Sequence, residues 1–228
     1  MGSQNQSRAE VSSKTVARLS RYRRLLHQLC EEQTHIFSHR LAELAGVTPA
    51  QVRCDIMAVG YSGSTAKGYA IAALLQKINL VLNPAEVQPA ALVGVGNLGR
   101  AVLAFFAGRR PKLKITAAFD KDPKKAGRVI VGCRCHALEE LPEVIDDARM
   151  TIGIIAVPAA AAQDVADSLV ANGVTGLLNF APTPLRVPPH VYVEDIDLAT
   201  SLDTVAYFAR AGTGARKSPS TQERSSNK

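Results

Sequence analysis

The sequence predicts a two-domain α/β protein, in which a small helical domain precedes a doubly wound sheet of parallel strands. Three observations predict this fold class. Apolar residues recur at helical spacing over the first third of the 228-residue chain. From residue 90 onward, short apolar runs alternate with helical segments, which is typical of parallel strands buried on both faces. A glycine pattern, Gly94-x-Gly96-x-x-Gly99, lies between the first of those runs and the first of those helices.

The first domain is predicted from three helical segments. Apolar residues recur at helical spacing over residues 15–30, where arginines occupy the other faces. Ser38 is expected to cap a second helix that ends at Ala45, because a serine hydroxyl accepts a hydrogen bond from a free backbone N–H group. Thr48 is expected to cap a third helix over residues 49–59, with proline at its first position. Two helices joined by a short glycine-containing turn are typical of a helix-turn-helix.

The next segment, residues 60–69, is too rich in glycine and serine for a helix and is predicted to be a β-wing. In a winged helix-turn-helix, the second helix of the pair enters the major groove, and the wing is expected to reach phosphate or the minor groove. The residues expected to face DNA are Ser38, Thr48, Gln51, Arg53 and Lys67. Three-helix modules serve many purposes and charged helix faces are often only solvated. The pattern alone therefore leaves DNA binding and plain packing open.

The glycine pattern predicts a dinucleotide site in the second domain. Gly94 permits a tight turn, Gly96 lets the backbone approach a pyrophosphate, and Gly99 lets the helix pack closely on the strand. The N-terminus of that helix presents free N–H groups to the phosphates. The residues expected to bind the cofactor here are Gly94, Val95, Gly96, Asn97, Leu98 and Gly99. A glycine-rich turn beside an empty crevice is the alternative.

Asp120 is the expected partner of the adenosine ribose. It ends a second apolar segment, residues 114–119. An acidic residue about 20 positions beyond the glycines accepts hydrogen bonds from the ribose hydroxyls in such folds. Its charge repels a 2′-phosphate, which favours NAD over NADP. Lys121, the first of several basic residues that follow, is also assigned to the site and weakens that preference.

Two further apolar runs predict buried strands over residues 150–157 and 174–180. Ligands of such sheets lie beyond the carboxyl ends of the strands. The residues expected around the nicotinamide half of the cofactor are Val157, Pro158, Asn179, Phe180 and Asp197. Residues 200–210 predict a short apolar helix. Such a helix needs a groove in which to bury itself, and a partner subunit is one candidate.

Composition limits the function classes. The net charge of +7 allows a nucleic-acid partner but does not require one. Four cysteines without the spacing of metal ligands indicate no metal site and fit a reducing cytosol. The polar first residues lack an apolar signal core, and no apolar run reaches the roughly 18 residues of a membrane span. We therefore expect a cytoplasmic protein that does not enter a membrane.

No residue is expected to be catalytic. A dehydrogenase needs a proton carrier near the substrate carbonyl. Neither His136 nor His190 stands at a strand end suited to that role. The nucleotide domain is short, and no separate substrate domain follows it. The sequence therefore favours a protein that binds the cofactor as a signal over an enzyme.

Six segments in order along both domains carry a family resemblance. They are residues 44–53 with Asp55, 93–100, 118–125 with Gly127, 157–158, 178–182 and 193–199. Together they resemble the redox-sensing transcriptional repressor Rex family, over about residues 15–209. The resemblance implies a homodimer of winged-helix and Rossmann domains, with the last helix exchanged between subunits. It also implies that NADH binding releases operator DNA and that NAD⁺ competes more weakly.

Composition, pattern and resemblance together predict the domain organisation. The predicted parts are a disordered tail (1–14), a winged-helix domain (15–83), a Rossmann NAD(H)-binding domain (84–199), an exchanged helix (200–210) and a disordered basic tail (211–228).

The resemblance also implies a switch. By position, Arg24 and Asp197 match a family ion pair that is present in the DNA-binding state and absent in the NADH-bound state. A plain strand-end carboxylate is the alternative for Asp197.

Three departures from the family pattern bear on function. Phe105 stands where some members have a tyrosine that engages the switch aspartate, and phenylalanine cannot make that hydrogen bond. Cys54 stands where the family usually has a lysine, and Lys67 has a shifted place in the wing. Two other functions stay open: a Rex-like NAD(H)-binding regulator with altered or lost DNA specificity, and a small NAD-dependent oxidoreductase.

Overall fold

The structure, a computed structural model, describes residues 11–83, 85–109 and 112–214. It divides into two units, of which the first ends at Glu86 and the second begins at Val87. Most of the two tails predicted to be disordered, residues 1–10 and 215–228, lies outside the described residues. The last helix continues to Gly214, beyond its predicted end at 210.

The first unit is a three-helix module with a fourth helix and a small wing. Its elements are α1 (Ser13–Leu29), β1 (His35–Ile36), α2 (Ser38–Ala45), α3 (Pro49–Ala58), β2 (Tyr69–Ala70) and α4 (Ile71–Leu82). The core is formed by the apolar faces of the four helices, with Tyr22 and Ile56 among its fully buried members. Strands β1 and β2 pair antiparallel. A turn closed by two backbone hydrogen bonds between Ser64 and Gly68 carries Lys67 close to the tip of the wing.

The second unit is a seven-stranded sheet with helices on both faces. Its strands are β3 (Gln88–Val93), β4 (Leu113–Asp120), β5 (Val129–Ile130), β6 (Cys133–Ala137), β7 (Ile152–Ile155), β8 (Gly176–Asn179) and β9 (Tyr192–Asp195). Its helices are α5 (Asn97–Phe106), a 3₁₀ turn (Leu138–Glu140), α6 (Leu141–Asp147), α7 (Ala159–Ala171) and α8 (Leu198–Gly214). The predicted doubly wound α/β fold class is confirmed.

Strand order decides where a ligand can lie. The order is β5-β6-β4-β3-β7-β8-β9, and every neighbouring pair is parallel except β5 with β6. The chain runs outward from β3 in one direction through β4 and in the other through β7. The carboxyl ends of β3 and β7 therefore flank the topological switch point, where open sheets of this kind bind ligands.

Each face of the sheet has its own apolar core. Val93 and Phe119 belong to the cluster that includes the buried residues of α6 and α7, whereas Leu92 and Ala118 pack with α5. Continuous apolar runs in the sequence thus arise because successive strand residues point to opposite buried faces. No helix in the described ranges combines the length and apolar character needed to cross a bilayer.

Candidate nucleotide and nucleic-acid sites

The loop between β3 and α5 is shaped by its glycines. Gly94 has a φ of +97°, and a Cβ atom there would lie 2.4 Å from the carbonyl oxygen of Ala156. A Cβ atom at Gly99 would lie 1.9 Å from the carbonyl oxygen of Gly94. Packing of the loop therefore requires both glycines. At Gly96, by contrast, no described atom outside its immediate neighbours lies within 4 Å of the Cβ position. The chain itself does not require that glycine, but a ligand that approaches the backbone would.

The N-terminus of α5 faces the same loop. Gly96 is its N-cap, and no side chain of the described residues caps it. Asn97 and Leu98 are exposed in the first turn, whereas Val95 is buried. Since the first N–H groups of a helix have no partner within the helix, this end can hold an anion such as a pyrophosphate.

A cleft of about 420 Å³ opens beside this loop. Its wall includes six of the predicted cofactor residues: Gly94, Gly96, Asp120, Lys121, Val157 and Pro158. Pro158 is also the N-cap of α7, and Ala160 and Ala161 in the first turn of that helix also line the cleft. The cleft thus lies at the switch point, between the first turns of two helices.

Asp120 is held by three donors. Its carboxylate accepts hydrogen bonds from the backbone N–H of Val95 (2.8 Å) and of Asp122 (3.0 Å). It also forms an ion pair with Lys125, whose Nζ lies 2.8 Å from Asp120 Oδ2. Burial raises its pKa, but the hydrogen bonds from Lys125, Asp122 and Val95 outweigh burial and hold the pKa below its ordinary value. Lys125 was not among the residues predicted to form the site. Its place five residues after the strand end, in the basic run, was the available signal.

The predicted nicotinamide residues do not all share this cleft. The buried Asn179 side chain donates to the carbonyl of Thr183 (2.9 Å) and to Asp195 Oδ1 (2.8 Å), and accepts from the N–H of Ala181 (3.0 Å). It fixes the loop after β8. Phe180 is half-buried against the core that contains α5. The roles of Asn179 and Phe180 toward a cofactor stay predictions.

Asp197 lies in a second cavity. This cavity has a volume of about 260 Å³ and is lined by residues 181–184 and 195–197. The Asp197 carboxylate accepts hydrogen bonds from the backbone N–H and the hydroxyl of Thr200, which places it at the start of α8. The Thr200 hydroxyl and N–H hold the pKa of Asp197 below its ordinary value. The exposed carboxylate stays ionised and can still meet a cation.

The other two residues predicted to act in the switch, Arg24 and Phe105, are exposed. Arg24 lies on α1 in the first unit. Phe105 lies near the end of α5, and the guanidinium of Arg109 is 4.7 Å from the centroid of its ring. A cation over an aromatic face is attractive, so the Phe105 ring holds Arg109, and Phe105 differs from a tyrosine only by the missing hydroxyl. Arg24 and Asp197 lie in different units, and their pairing stays a prediction.

In the helix pair predicted to face DNA, the helix caps differ in part from expectation. Thr48 caps α3, as predicted, by accepting from the N–H of Gln51 at 3.2 Å. The expected cap at Ser38 is wrong, because the extended Phe37 holds that position and Ser38 is the first residue of α2. The Ser38 hydroxyl instead accepts from Arg53 Nη1 at 3.5 Å. The Arg53 side chain is exposed, as expected.

Gln51 was expected to be exposed, but it is half-buried and donates to Asp55 Oδ1 at 3.0 Å. Asp55 is itself buried and also accepts from Arg18 and Tyr22 of α1. Neither Arg18 nor Asp55, which carries part of the family resemblance, was predicted to join the two helices. The available signal was spacing, because Asp55 shares the inward face of α3 with Val52 and Ile56.

Cysteine and histidine chemistry adds no site among the described residues. Cys133 and Cys135 are buried in β6, and burial raises the pKa of the Cys133 thiol to about 11, so it stays protonated and unreactive. His136 packs on the ring of Phe119 and pairs with Glu140. No group of three or more potential metal ligands occurs in the described part of the chain.

Comparison with known proteins identifies both parts of the chain. A family model described as "CoA binding domain" matches residues 85–183, and one described as "Putative DNA-binding protein N-terminus" matches residues 10–56. The redox-sensing transcriptional repressor Rex of Rhodopirellula baltica is 40% identical over 203 residues, which cover 88% of this chain and 85% of the relative. That of Syntrophobacter fumaroxidans is 38% identical, covering 90% and 99%.

Solved structures agree. The crystal structure of RSP, a Rex-family repressor, matches with a TM-score of 0.80 and 30% identity, covering 91% of this chain and 97% of that one. RSP has also been solved with β-NADH (TM-score 0.80) and with β-NAD⁺ and operator DNA (TM-score 0.81). The likeness extends over both units and nearly the full length of each protein. This chain belongs to the redox-sensing transcriptional repressor Rex family.

Proposed function

We propose that this chain is a homodimeric transcriptional repressor that binds operator DNA through its first unit and is released by NADH bound to its second. NAD⁺ occupies the same cleft as a weaker competitor, so the repressor responds to the balance of the two forms. It acts in the cytoplasm, where both DNA and cofactor are present. The observation that carries the proposal is the cleft beside Gly96, joined in one chain to a winged helix-turn-helix.

The cleft supports a dinucleotide ligand. Gly96 leaves room for a phosphate close to the backbone, and the first turn of α5 offers N–H donors. Asp120 is ionised and lies at the end of β4, the usual position for a ribose partner. Its charge opposes a 2′-phosphate, although Lys125 partly neutralises it. When bound, NADH would supply no reaction here; it would act as a signal.

The first unit supports a DNA partner. Arg53 is exposed on α3, the second helix of the helix-turn-helix, and Lys67 is exposed near the tip of the wing. A helix of this kind reads bases in the major groove while a wing contacts the backbone. In the solved relative RSP, operator DNA is bound together with β-NAD⁺.

Helix α8 supports a homodimer. Its large apolar side chains, which include Leu202, Val205 and Phe208, are 63–67% exposed. Burying a large apolar side chain contributes roughly 1.5–3 kcal/mol, so a second copy of the chain would be strongly stabilised by covering this helix. Exchange of α8 between subunits would bring the switch aspartate, Asp197, to the partner, since it stands at the start of the same helix.

An oxidoreductase is the less favoured function. Among the residues that line the described cleft, the titratable ones are Asp120, Lys121, Lys125 and Asp164. Asp120 and Lys125 are paired with each other. The cleft thus lacks the histidine or tyrosine that usually carries a proton to a substrate carbonyl. Turnover of NADH with a 2-hydroxy acid or aldehyde partner would support that function instead.

The test is a DNA titration with the full-length protein. Duplexes bound by the protein are selected from a random-sequence pool, and fluorescence anisotropy then measures binding of the best duplex at about 0.15 M ionic strength. The proposal expects tight binding that micromolar NADH releases and an equal concentration of NAD⁺ does not. Clear NADH binding without any DNA binding would favour the regulator with lost DNA specificity.

A further inference from the structure

The outward face of α3 is unusually apolar for a helix that is proposed to lie against DNA. The inward residues are Val52, Asp55, Ile56 and Val59, which are buried. The exposed residues of the helix and its end are Pro49, Ala50, Arg53, Cys54, Met57 and Ala58. Arg53 is the single charged residue in that exposed set. Attraction between positive side chains and phosphates therefore does not explain the composition of this face.

Cys54 and Met57 form the centre of this face with Arg53. At 3.6 residues per turn, these three side chains lie within about 100° of one another around the helix axis. Met57 is 71% exposed, although methionine is usually buried. Cys54 carries an exposed thiol. Two adjacent, unburied apolar groups thus lie beside one arginine.

Arg53 and Lys67 supply positive charge in the same unit. The Arg53 guanidinium is 3.5 Å from the Ser38 hydroxyl at the start of α2. In the wing, Gly68 lies against Ile36 and Phe37, and the exposed Lys67 precedes it. An apolar pair beside an arginine suits the floor of the major groove, where thymine methyl groups and the acceptor atoms of guanine project.

We propose that Cys54 and Met57 read thymine methyl groups of the operator, next to a guanine read by Arg53. The inference rests on the proposed function and names the base chemistry that this particular α3 recognises. Arginine is suited to the O6 and N7 acceptors of guanine, and apolar groups are suited to the C5-methyl of thymine. Cys54 would contact a thymine methyl group through its apolar side chain, whereas the lysine usual at this position in the family would place a positive charge there.

Uracil substitution tests this proposal, because deoxyuridine differs from thymidine only by the missing methyl group. Each thymine of the selected duplex is replaced singly by uracil, and the affinity of the full-length protein is measured for each duplex. Loss of one buried methyl contact weakens binding roughly four-fold. We expect such a loss at one or more thymines adjacent to a required guanine in each half-site.

Variants assign each methyl to a side chain. In Met57→Gln or Cys54→Ser, the difference between the thymine and uracil duplexes should disappear at the position that the altered residue contacts. Cys30→Ser, which alters an exposed cysteine outside α3, is the matched control and should keep the full difference. The thermal midpoint of each variant should equal that of the parent, because the altered side chains are exposed.

Unchanged affinity for every uracil duplex, in a protein that still binds the operator and is released by NADH, overturns this inference and leaves the proposed function intact. A thymine–uracil difference that persists in both variants also overturns it, because another residue must then contact the methyl groups. Failure to select any duplex overturns the proposed function, and the inference with it. Capture of a protein partner in place of DNA would have the same consequence.

Discussion

Arg18 and Asp55 join the first helix of the protein to the helix proposed to read DNA. Arg18 Nε lies 2.6 Å from Asp55 Oδ2, and Arg18 Nη2 lies 2.8 Å from Oδ1. Tyr22 and Gln51 donate to the same buried carboxylate at 2.9 and 3.0 Å. Such a paired and fully hydrogen-bonded charge fixes the position of α3 against α1, since moving either helix leaves a buried carboxylate without donors.

The Asp55 cluster makes stability depend on pH in acid. Burial raises the pKa of Asp55, but the hydrogen bonds from Arg18, Tyr22 and Gln51 hold it below the ordinary value of 3.8. The folded state therefore binds protons less readily than the unfolded state. The contribution to stability is present above the ordinary pKa and is lost as pH falls through the folded-state pKa.

We expect the free energy of unfolding to fall more steeply in the parent than in Asp55→Asn as the pH is lowered below about 4. Urea unfolding followed by circular dichroism measures it at each pH. Asp120, whose pKa is also lowered, contributes to both proteins, so the difference isolates Asp55. Parallel pH profiles of the two proteins would contradict the role assigned to this carboxylate.

Two glycines of the nucleotide loop should respond differently to the same substitution. Gly96→Ala adds a methyl group into space that is free of described protein atoms, so the variant should fold normally and lose NADH affinity by about ten-fold or more. Gly99→Ala would place a Cβ atom 1.9 Å from the Gly94 carbonyl oxygen and should lower the thermal midpoint. Calorimetric titration and thermal unfolding measure the two effects. Normal NADH affinity in a folded Gly96→Ala would place the cofactor elsewhere.

Helix α8 should govern the oligomeric state. Leu202→Glu places a charge on an apolar helix face that the proposed dimer buries, and burial of an unpaired charge is very costly. We expect this variant to be monomeric in size-exclusion chromatography with light scattering. Val129→Glu, an equally exposed apolar residue of the same unit, is the matched control and should stay dimeric. Dimers in both variants would exclude α8 from the interface.

The proposed switch pair can be tested by a double-mutant cycle. Arg24→Gln and Asp197→Asn each remove one charge, and asparagine keeps an oxygen that can cap α8 through Thr200. Each single variant should bind the operator about ten-fold more weakly, and the double variant should be no weaker than either single one. Asp203→Asn, on the exposed surface of α8, should have no effect. Additive losses would mean that the two residues act independently.

Local sequence signals predicted most of the fold. The glycine loop, the Thr48 cap and the alternation of apolar runs with helices are each encoded within a few residues, and the predicted fold class is confirmed. Strand ends were predicted less well. The runs over 150–157 and 174–180 form strands only over Ile152–Ile155 and Gly176–Asn179, because the apolar runs continue into loop residues that pack on the same core, as Val157 and Val174 do.

The site was predicted by residue type but not by partner. Asp120 follows from its spacing after the glycines, whereas its ion pair with Lys125 depends on how the loop after β4 folds back. Arg18 and Asp55 are 37 positions apart in the sequence, and no local pattern pairs them. Gln51 was assigned to DNA because α3 was assumed to expose it. A buried carboxylate on the next turn of the helix attracts its amide instead.

Control of DNA binding by the nucleotide cleft is tested most directly by measuring operator binding while the ratio of NADH to NAD⁺ is varied at constant total nucleotide. We expect the bound fraction to fall as the ratio rises, and added NAD⁺ to shift the release to higher NADH concentrations. Gly96→Ala should stay bound to the operator at ratios that release the parent, because its cleft binds NADH about ten-fold or more weakly. The operator affinity could instead stay constant as the ratio of NADH to NAD⁺ changes, in a protein that binds both nucleotides. That result would contradict the claim that the cleft controls the DNA-binding unit.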